Sequence, residues 1–296
     1  MNTLPVHCFS IVLVFSFLLP GIGWMKAPLE DIEQTHYVYL PLIKNDPIGM
    51  AYVPAGEFTM GCWGGYFCSA GGGPVHSVFL DGFFIDKYEI TNAQYTKCVA
   101  VGACLPPGAT GSHTRFSYYD NPAYADYPVT HVPWDYANDY CQWAGKRLPT
   151  EAEWEKAAQG GKDFWLVPFP WGDATPVCEI GAPNGAQYSD CLPQDTVQVG
   201  SFGPNGIGLY DMAGNVDEWV NDWWDISYYS NSPYSNPPGP ASGSDKVIRG
   251  GGWNYNWTGL LVAYRNYANP NNPTGIQDLG YHNVGFRCVF SPPHSP

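Results

Sequence analysis

Glycine and proline restrict this chain to a fold with little long regular secondary structure. Its 296 residues include 34 Gly and 28 Pro, which end helices and strands and favour turns. Such a composition can also mark disorder. However, 12 Trp, 21 Tyr and 14 Phe supply ample apolar surface to bury. We therefore expect one folded, loop-rich domain whose core is built largely from aromatic rings.

The net charge of the chain argues against nucleic-acid binding and is compatible with calcium binding. The formal net charge is −14, from 13 basic and 27 acidic residues. Nucleic-acid binding is not expected, because phosphate contacts need a basic face. An acidic surface with acidic loops is compatible with calcium.

The N-terminus predicts export. Residues 8–19 form an apolar run of 12 residues, too short for a membrane-spanning helix, which needs about 20. We interpret residues 1–25 as a signal peptide, and a buried N-terminal strand or helix is the alternative. Residues 26–48 resemble a linker, 49–291 one domain and 292–296 a short tail. The mature protein is then secreted, periplasmic or at the cell surface, without a membrane span.

Eight cysteines remain after removal of the predicted signal peptide. An even number in an exported chain favours disulfides. Zinc is the competing interpretation, but the chain has no CxxC and no nearby His cluster. Proximity along the chain suggests three local pairs and one long-range pair: Cys62/Cys68, Cys98/Cys104, Cys178/Cys191 and Cys141/Cys288.

Local patterns predict three short helices and a few short strands. Thr91 with Gln94 and Thr150 with Glu153 have the spacing of capping boxes, and another helix follows Pro133. We predict strands at 50–53, 57–60, 75–80, 247–249 and 285–290. We predict that residues 162–245 are dominated by loops.

Seven ordered motifs resemble the formylglycine-generating enzyme (sulfatase-modifying factor) family and together cover nearly all of 49–291. They are YVPAGEFTMG (52–61), FFIDKYEITNAQY (83–95), CQWAGKRLPTEAEWEKAA (141–158), FPWGD (169–173), PNGIGLYDMAGNVDEW (204–219), VIRGGGW (247–253) and GFRCV (285–289). The resemblance implies an α+β fold, the loop-rich variant of the C-type lectin fold found in this family.

Active members of that family oxidise a sulfatase cysteine to formylglycine with a copper(I) centre held by two cysteines. The corresponding positions here are Tyr255 and Leu260. The motif serine is Gly252, and the first Trp of the usual GNVWEW is Asp217. A phenol and an isobutyl group cannot form a dithiolate site, so we expect neither copper nor the known oxidase chemistry.

The resemblance also implies structural calcium, with a solvated acidic turn as the alternative. One site would use the side chains of Asp211 and Glu218 with backbone oxygens near Gly214 and Val216. A second would lie near Asn184 and Asp190. The Cys141/Cys288 pair matches a disulfide known in the family.

Several charged residues admit a structural or a functional role. We expect Arg147 to form an ion pair, with Glu151 or Glu155 as the partner. Arg249, Arg265 and Arg287 are expected to join loops around the former active site or to bind an anionic ligand. The histidines show no metal-like spacing, and His76, His113 and His131 are isolated along the sequence.

Segment 254–283 is rich in Asn and Tyr, a composition typical of adaptable binding surfaces and also of ordinary family members. We predict a protein- or glycan-binding module using Trp223, Trp224, Tyr255, Trp257 and Arg265. The rivals are a formylglycine-generating oxidase with an unorthodox site and a purely structural domain. A further rival is a ligand-binding variable protein of a diversity-generating retroelement, whose variable stretch lies in the same place.

Overall fold

The computed structural model describes residues 49–62, 72–162, 168–271 and 282–292, all within one compact unit, Lys44–Pro296. The predicted signal peptide, most of the linker and Cys68 lie outside the described residues. Within these residues, no helix is long and apolar enough to cross a membrane.

In the part of the chain that the structure describes, three small sheets and three short α-helices form the architecture. The strands are β1 (Met50–Val53), β2 (Gly56–Met60), β3 (His76–Leu80), β4 (Phe83–Asp86), β5 (Asp217–Trp223), β6 (Lys246–Arg249), β7 (Asn266–Ala268), β8 (Val284–Gly285) and β9 (Val289–Phe290). The helices are α1 (Asn92–Ala100), α2 (Trp134–Trp143) and α3 (Glu151–Ala158). The strand orders are β1-β4-β9, β2-β3 and β7-β6-β5-β8. Only the β5–β8 pairing among them is parallel.

Both predicted capping boxes are present. At α1, Thr91 accepts from the backbone of Gln94, whose side chain accepts from the backbone N–H of Thr91. Thr150 and Glu153 do the same at α3. These hydrogen bonds satisfy backbone N–H groups of the first turn that have no partner within the helix. Because they join residues only three apart, the sequence was enough to predict where both helices begin.

The described part of residues 162–245 is dominated by loops, as predicted, but it contains one strand, β5, that the sequence did not reveal. It is a seven-residue strand of sequence DEWVNDW, in which Asp217, Glu218 and Asp222 are buried beside Trp219 and Val220. Strand patterns are recognised by apolar residues that alternate with polar ones. The pattern is absent here because the carboxylates point inward. The predicted strand 285–290 is also interrupted, since Phe286–Cys288 separate β8 from β9.

Disulfides join Cys98 to Cys104, Cys141 to Cys288 and Cys178 to Cys191, as predicted. Cys62 is also disulfide-bonded, and its predicted partner lies outside the described residues. The Cys141–Cys288 bridge connects α2 to the end of the chain across a sequence separation of 147.

Buried ion pairs fix α3 against the large sheet. Glu151 and Glu155 lie on one helix face, four residues apart. Arg265 donates to Glu151 from Nε at 2.7 Å and from Nη2 at 2.8 Å, and Arg249 donates to Glu155 at 2.6 Å. Arg147 pairs instead with Glu153, at 2.6 Å to each oxygen. The predicted partners of Arg147 were therefore wrong, because Glu151 and Glu155 face the interior.

Asp222 is a further buried carboxyl in this charged core, and its pKa is raised. Its Oδ2 accepts the backbone N–H of Glu151 at 2.8 Å, at the first turn of α3. Burial, and then the negative charge of Glu151, raise the pKa of Asp222 from 3.8 to about 8. The folded state therefore retains a proton that the unfolded chain loses near pH 4.

We predict that Asp222 makes the folded state less stable as pH rises. Since its pKa is raised on folding, the free energy of unfolding falls between about pH 4 and pH 8, by at most about 1.4 kcal/mol per pH unit. Asp222→Asn keeps the acceptor for Glu151 and removes this dependence. Urea denaturation across pH 4.5–8.5 measures the difference, with the exposed Asp173→Asn as control. Parallel pH profiles for wild type and Asp222→Asn would contradict the prediction.

Candidate ligand-binding site

The connection between β6 and β7 begins with the turn Gly250–Gly251–Gly252. Gly251 has φ +70°, and a Cβ there would lie 2.4 Å from the backbone oxygen of Gly259. Only glycine allows this approach. The turn brings Tyr255 and Leu260, which occupy the family's cysteine positions, back against the start of β5.

Leu260 is a core residue. It lies in the three-ten helix Trp257–Leu260, is fully buried, and belongs to an apolar cluster that includes Phe169, Ala186 and Cys191. Trp257 is half-buried against the same cluster. The predicted ligand-binding role of Trp257 is therefore limited to its partly exposed edge.

Tyr255 is half-buried and faces a polar neighbourhood. Its hydroxyl accepts a hydrogen bond from Asn266 Nδ2, and its ring meets that of Tyr264 edge-on at 6.1 Å. Burial and then the nearby Asp217 raise the pKa of Tyr255 above its usual range, so this phenol stays protonated.

Asp217, which replaces a family Trp, lies in the same place. Its Oδ1 accepts the backbone N–H of Gly251 at 3.1 Å, and its Oδ2 accepts from Asn283 Nδ2 at 3.4 Å. Asn283 also donates to Asn254 Oδ1 at 3.0 Å. Burial, opposed only in part by the Gly251 hydrogen bond, raises the pKa of Asp217 well above 3.8.

These residues form one group, which we call the Asp217 site. A buried carboxyl lies at its base, and amides and phenols that are half-buried or exposed surround it. Sequence reasoning selected only Tyr255 from this group, although the Trp-to-Asp change at 217 was a usable signal. The members are Asp217, Asn254, Tyr255, Tyr264, Asn266 and Asn283.

The predicted aromatic surface divides into two separate faces. Side chains alternate along a strand, and β7 presents Asn266 to Tyr255. The next residue, Tyr267, stacks on Trp224 with ring centroids 4.7 Å apart. Trp224 and Tyr255 therefore contact successive residues of β7 rather than one another.

Two other predicted ligand contacts are occupied by internal partners. The guanidinium of Arg265 is buried, bound to Glu151, and lies 4.6 Å from the Trp224 ring. Trp223 lies 3.9 Å from the ammonium of Lys246, which contacts Trp134 on its other side at 3.8 Å. We correct the expectation for Arg265, which belongs to the buried ion pairs.

The first predicted calcium set is only partly assembled. Both oxygens of Glu218 are engaged, by Arg287 at 2.6–2.9 Å and by the indole of Trp154 at 2.9 Å. Asp211 is buried, and its Oδ2 accepts the backbone N–H of Gly200 at 2.6 Å. Its Oδ1 is buried without a hydrogen-bond partner. Gly214 and Val216 flank Asn215 in the intervening turn.

Glu89, which sequence reasoning missed, faces this turn. It accepts from Asn215 Nδ2 at 2.7 Å and from the backbone N–H of Val216 at 3.3 Å. Burial and the negative charge of Asp211 raise the pKa of Glu89 well above its usual value. The pKa of Asp211 rises to about 6, chiefly by burial. Glu89 lies in the motif FFIDKYEIT, and this position was the one sequence feature that could have marked it as a candidate site residue.

The second predicted calcium set is not brought together. Asn184 donates to the backbone oxygen of Thr175 at 2.8 Å, whereas Asp190 is exposed and accepts from Ser189. Within the described residues, no three His, Cys, Asp or Glu side chains are arranged to hold a metal ion. A calcium ion would need amide, backbone and water oxygens besides carboxylates.

Comparison with known proteins identifies the family. The sulfatase-modifying factor enzyme 1-like domain matches residues 41–292. The chain belongs to this family. It is 34% identical over 289 residues to the formylglycine-generating enzyme of Mus musculus, covering 81% of this chain and 74% of the mouse protein.

Solved structures of this family type share the fold. PvdO from Pseudomonas aeruginosa superimposes with a TM-score of 0.64 at 29% identity, covering 81% of this chain and 93% of PvdO. Treponema denticola variable protein 1 gives a TM-score of 0.62 at 26% identity, covering 82% of this chain and 95% of that protein. The predicted fold class, a loop-rich α+β member of the sulfatase-modifying factor family with the C-type lectin fold, is confirmed.

Proposed function

We propose that this chain is an exported carbohydrate-binding protein of the sulfatase-modifying factor family. It holds its ligand at the Asp217 site and has no copper-dependent oxidase activity. The observation that carries this proposal is the buried carboxyl of Asp217, whose pKa burial raises, among three amides and two phenols. Such groups both donate and accept hydrogen bonds, as sugar hydroxyls require, and the Tyr255 and Tyr264 rings offer apolar faces.

The residues do not fit copper(I). Soft thiolates are its preferred ligands, and the two family cysteine positions hold the phenol of Tyr255 and the isobutyl group of Leu260. Cys191 lies in the same apolar cluster as Leu260 but is bonded to Cys178. No reaction step through copper is therefore assigned to this chain.

Export is supported by the cysteines and the N-terminus. Three disulfides among the described residues favour an oxidising compartment. The apolar run at 8–19 has the length of a signal-peptide core.

Calcium forms part of the proposal with a revised set of ligands. Asp211 Oδ1 is buried without a partner, and Glu89 is a second buried carboxylate held beside Asn215. A cation bound between them would offset the burial of two negative charges. Glu218 is excluded from the set because Arg287 and Trp154 occupy it.

Glycan binding is tested on a carbohydrate array followed by calorimetry on the best hit. We predict that Tyr255→Ala and Asn283→Ala weaken binding at least about tenfold, roughly 1.4 kcal/mol. Tyr267→Ala, on the opposite face of β7, is the matched control and keeps the affinity. Loss of binding in Tyr267→Ala with full binding in Tyr255→Ala would assign the ligand to the Trp224 face. Saturable binding of proteins without any glycan hit would favour a protein ligand.

A second candidate function is enzymatic, because a buried carboxyl with a raised pKa, Asp217, lies beside Tyr255, at the position that the motifs align with a family cysteine. A cysteine-containing sulfatase peptide incubated with copper, oxygen and this protein distinguishes the two. We predict no conversion of cysteine to formylglycine by mass spectrometry, with an active family member as positive control. Conversion that Asp217→Asn abolishes would replace the binding proposal.

The calcium proposal predicts a stabilised native state. At a calcium concentration 100 times its Kd, a bound ion adds about 2.7 kcal/mol, so the Tm in calcium should exceed that in EDTA. Asp211→Asn is expected to remove most of this difference, whereas the exposed Asp120→Asn retains it. Equal Tm values in calcium and in EDTA would contradict the proposal that calcium binds at Asp211 and Glu89.

A further inference from the structure

Three histidines that are isolated in the sequence meet around Trp253. The His113 and His282 rings lie 4.8 and 5.2 Å from the Trp253 ring, between centroids. His282 is 5.7 Å from His113 and 6.4 Å from His131. These histidines are isolated along the sequence, and three distant segments bring their rings together in the structure.

Trp253 supplies the observation that points to a ligand. Only 4% of its surface is exposed, and its indole Nε1 is buried without a hydrogen-bond partner. An indole N–H can only donate, so it needs an acceptor. A buried polar group without a partner in a native fold calls for an explanation, such as a bound water or ion.

The described residues nearby do not provide that acceptor. Asp195 lies close enough to act on the pKa of His131. Its Oδ2 accepts from Ser112 and Thr114 at 2.6–2.8 Å, and Arg115 pairs with that oxygen at 3.1 Å. Its Oδ1 accepts the backbone N–H of Thr196. Among the described residues, the Trp253 indole N–H therefore has no acceptor.

The ring nitrogens favour an oxyanion over a transition metal. Within the described residues, these side chains do not form a group arranged for a metal ion. Burial and the neighbouring His282 lower the pKa of His131 to about 4, and this ring also hydrogen-bonds to the backbone of Gly111. The His131 ring is therefore neutral near pH 7 and lines the group. Indole and imidazole N–H groups together suit carboxylate or sulfate oxygens.

The group is open to solvent and continuous with the Asp217 site. His113 is exposed, whereas Trp253 and His282 are buried, so the rings extend from the surface inward. Trp253 immediately precedes Asn254, and His282 immediately precedes Asn283. Both asparagines belong to the Asp217 site. The two groups therefore adjoin one another along both of these chain segments.

We propose that Trp253 with His113, His131 and His282 binds the carboxylate or sulfate group of an acidic sugar. This inference rests on the proposed function and specifies its ligand class. The indole N–H of Trp253 donates to one oxyanion oxygen, and the exposed imidazole of His113 donates to another. The Asp217 site binds the hydroxyl groups of the same sugar.

A matched pair of probes tests the inference. Methyl β-D-glucuronide and methyl β-D-glucoside differ only in a carboxylate in place of a hydroxymethyl group, and a sulfated monosaccharide tests the sulfate source. We expect the acidic probes to move the Trp253 indole N–H resonance in NMR titrations and to bind at least tenfold more tightly than the glucoside. Trp253→Phe, which also assigns the resonance, should abolish that preference.

His113→Gln provides a second variant at an exposed position, where the fold is expected to tolerate the change, and His76→Gln is the control outside the group. We expect His113→Gln to reduce the preference for the acidic probe and His76→Gln to leave it intact. Equal binding of glucuronide and glucoside, lost in Tyr255→Ala, would overturn the acidic-sugar inference and leave the proposed function standing. Failure of all the sugars to bind would overturn both.

Discussion

The ion pair between Arg287 and Glu218 determines where the site can form. The Arg287 guanidinium is fully buried and donates to both oxygens of Glu218 at 2.6–2.9 Å. It also donates to the backbone oxygens of Asp86, Lys87 and Tyr210. One side chain thus joins the end of β4, the turn before Asp211, and β5. Removing one partner from such a pair typically costs 3–5 kcal/mol, because the other charge remains buried and unpaired.

That pairing has a direct consequence for cation binding. A glutamate that looks like a metal ligand in the sequence is instead the counter-ion of an arginine. The negative charge that remains uncompensated is carried by Asp211 and Glu89, whose pKa values are raised by burial and by neighbouring carboxylates. In this acidic, buried turn, Glu218 is therefore the counter-ion of Arg287, whereas Asp211 and Glu89 are the carboxyl groups that a cation could bind.

The motifs align Asp217 with a family tryptophan, and in the structure this position holds a buried carboxyl beside Tyr255. Asn254, Asn266 and Asn283 add amide groups near it. The proposed function depends on the hydrogen-bonding capacity of this exchange. The scaffold supports this exchange because Leu260, at the second cysteine position, packs into the apolar core. The family fold is retained, and function depends on the side chains carried by its loops.

The sequence by itself determined the features that depend on neighbouring residues or on ordered motifs. These were the family, both capping boxes and three disulfide pairs. It did not reveal β5, because the buried Asp217, Glu218 and Asp222 reverse the usual polar alternation. Only the tertiary structure decided which carboxylate each arginine binds. It also decided that Tyr255 and Trp224 contact different residues of β7, Asn266 and Tyr267. Finally, it brought the rings of His113 and His282 to Trp253, with His131 beside His282. Those outcomes depend on contacts between segments distant in the chain, and burial there sets both partner and protonation state.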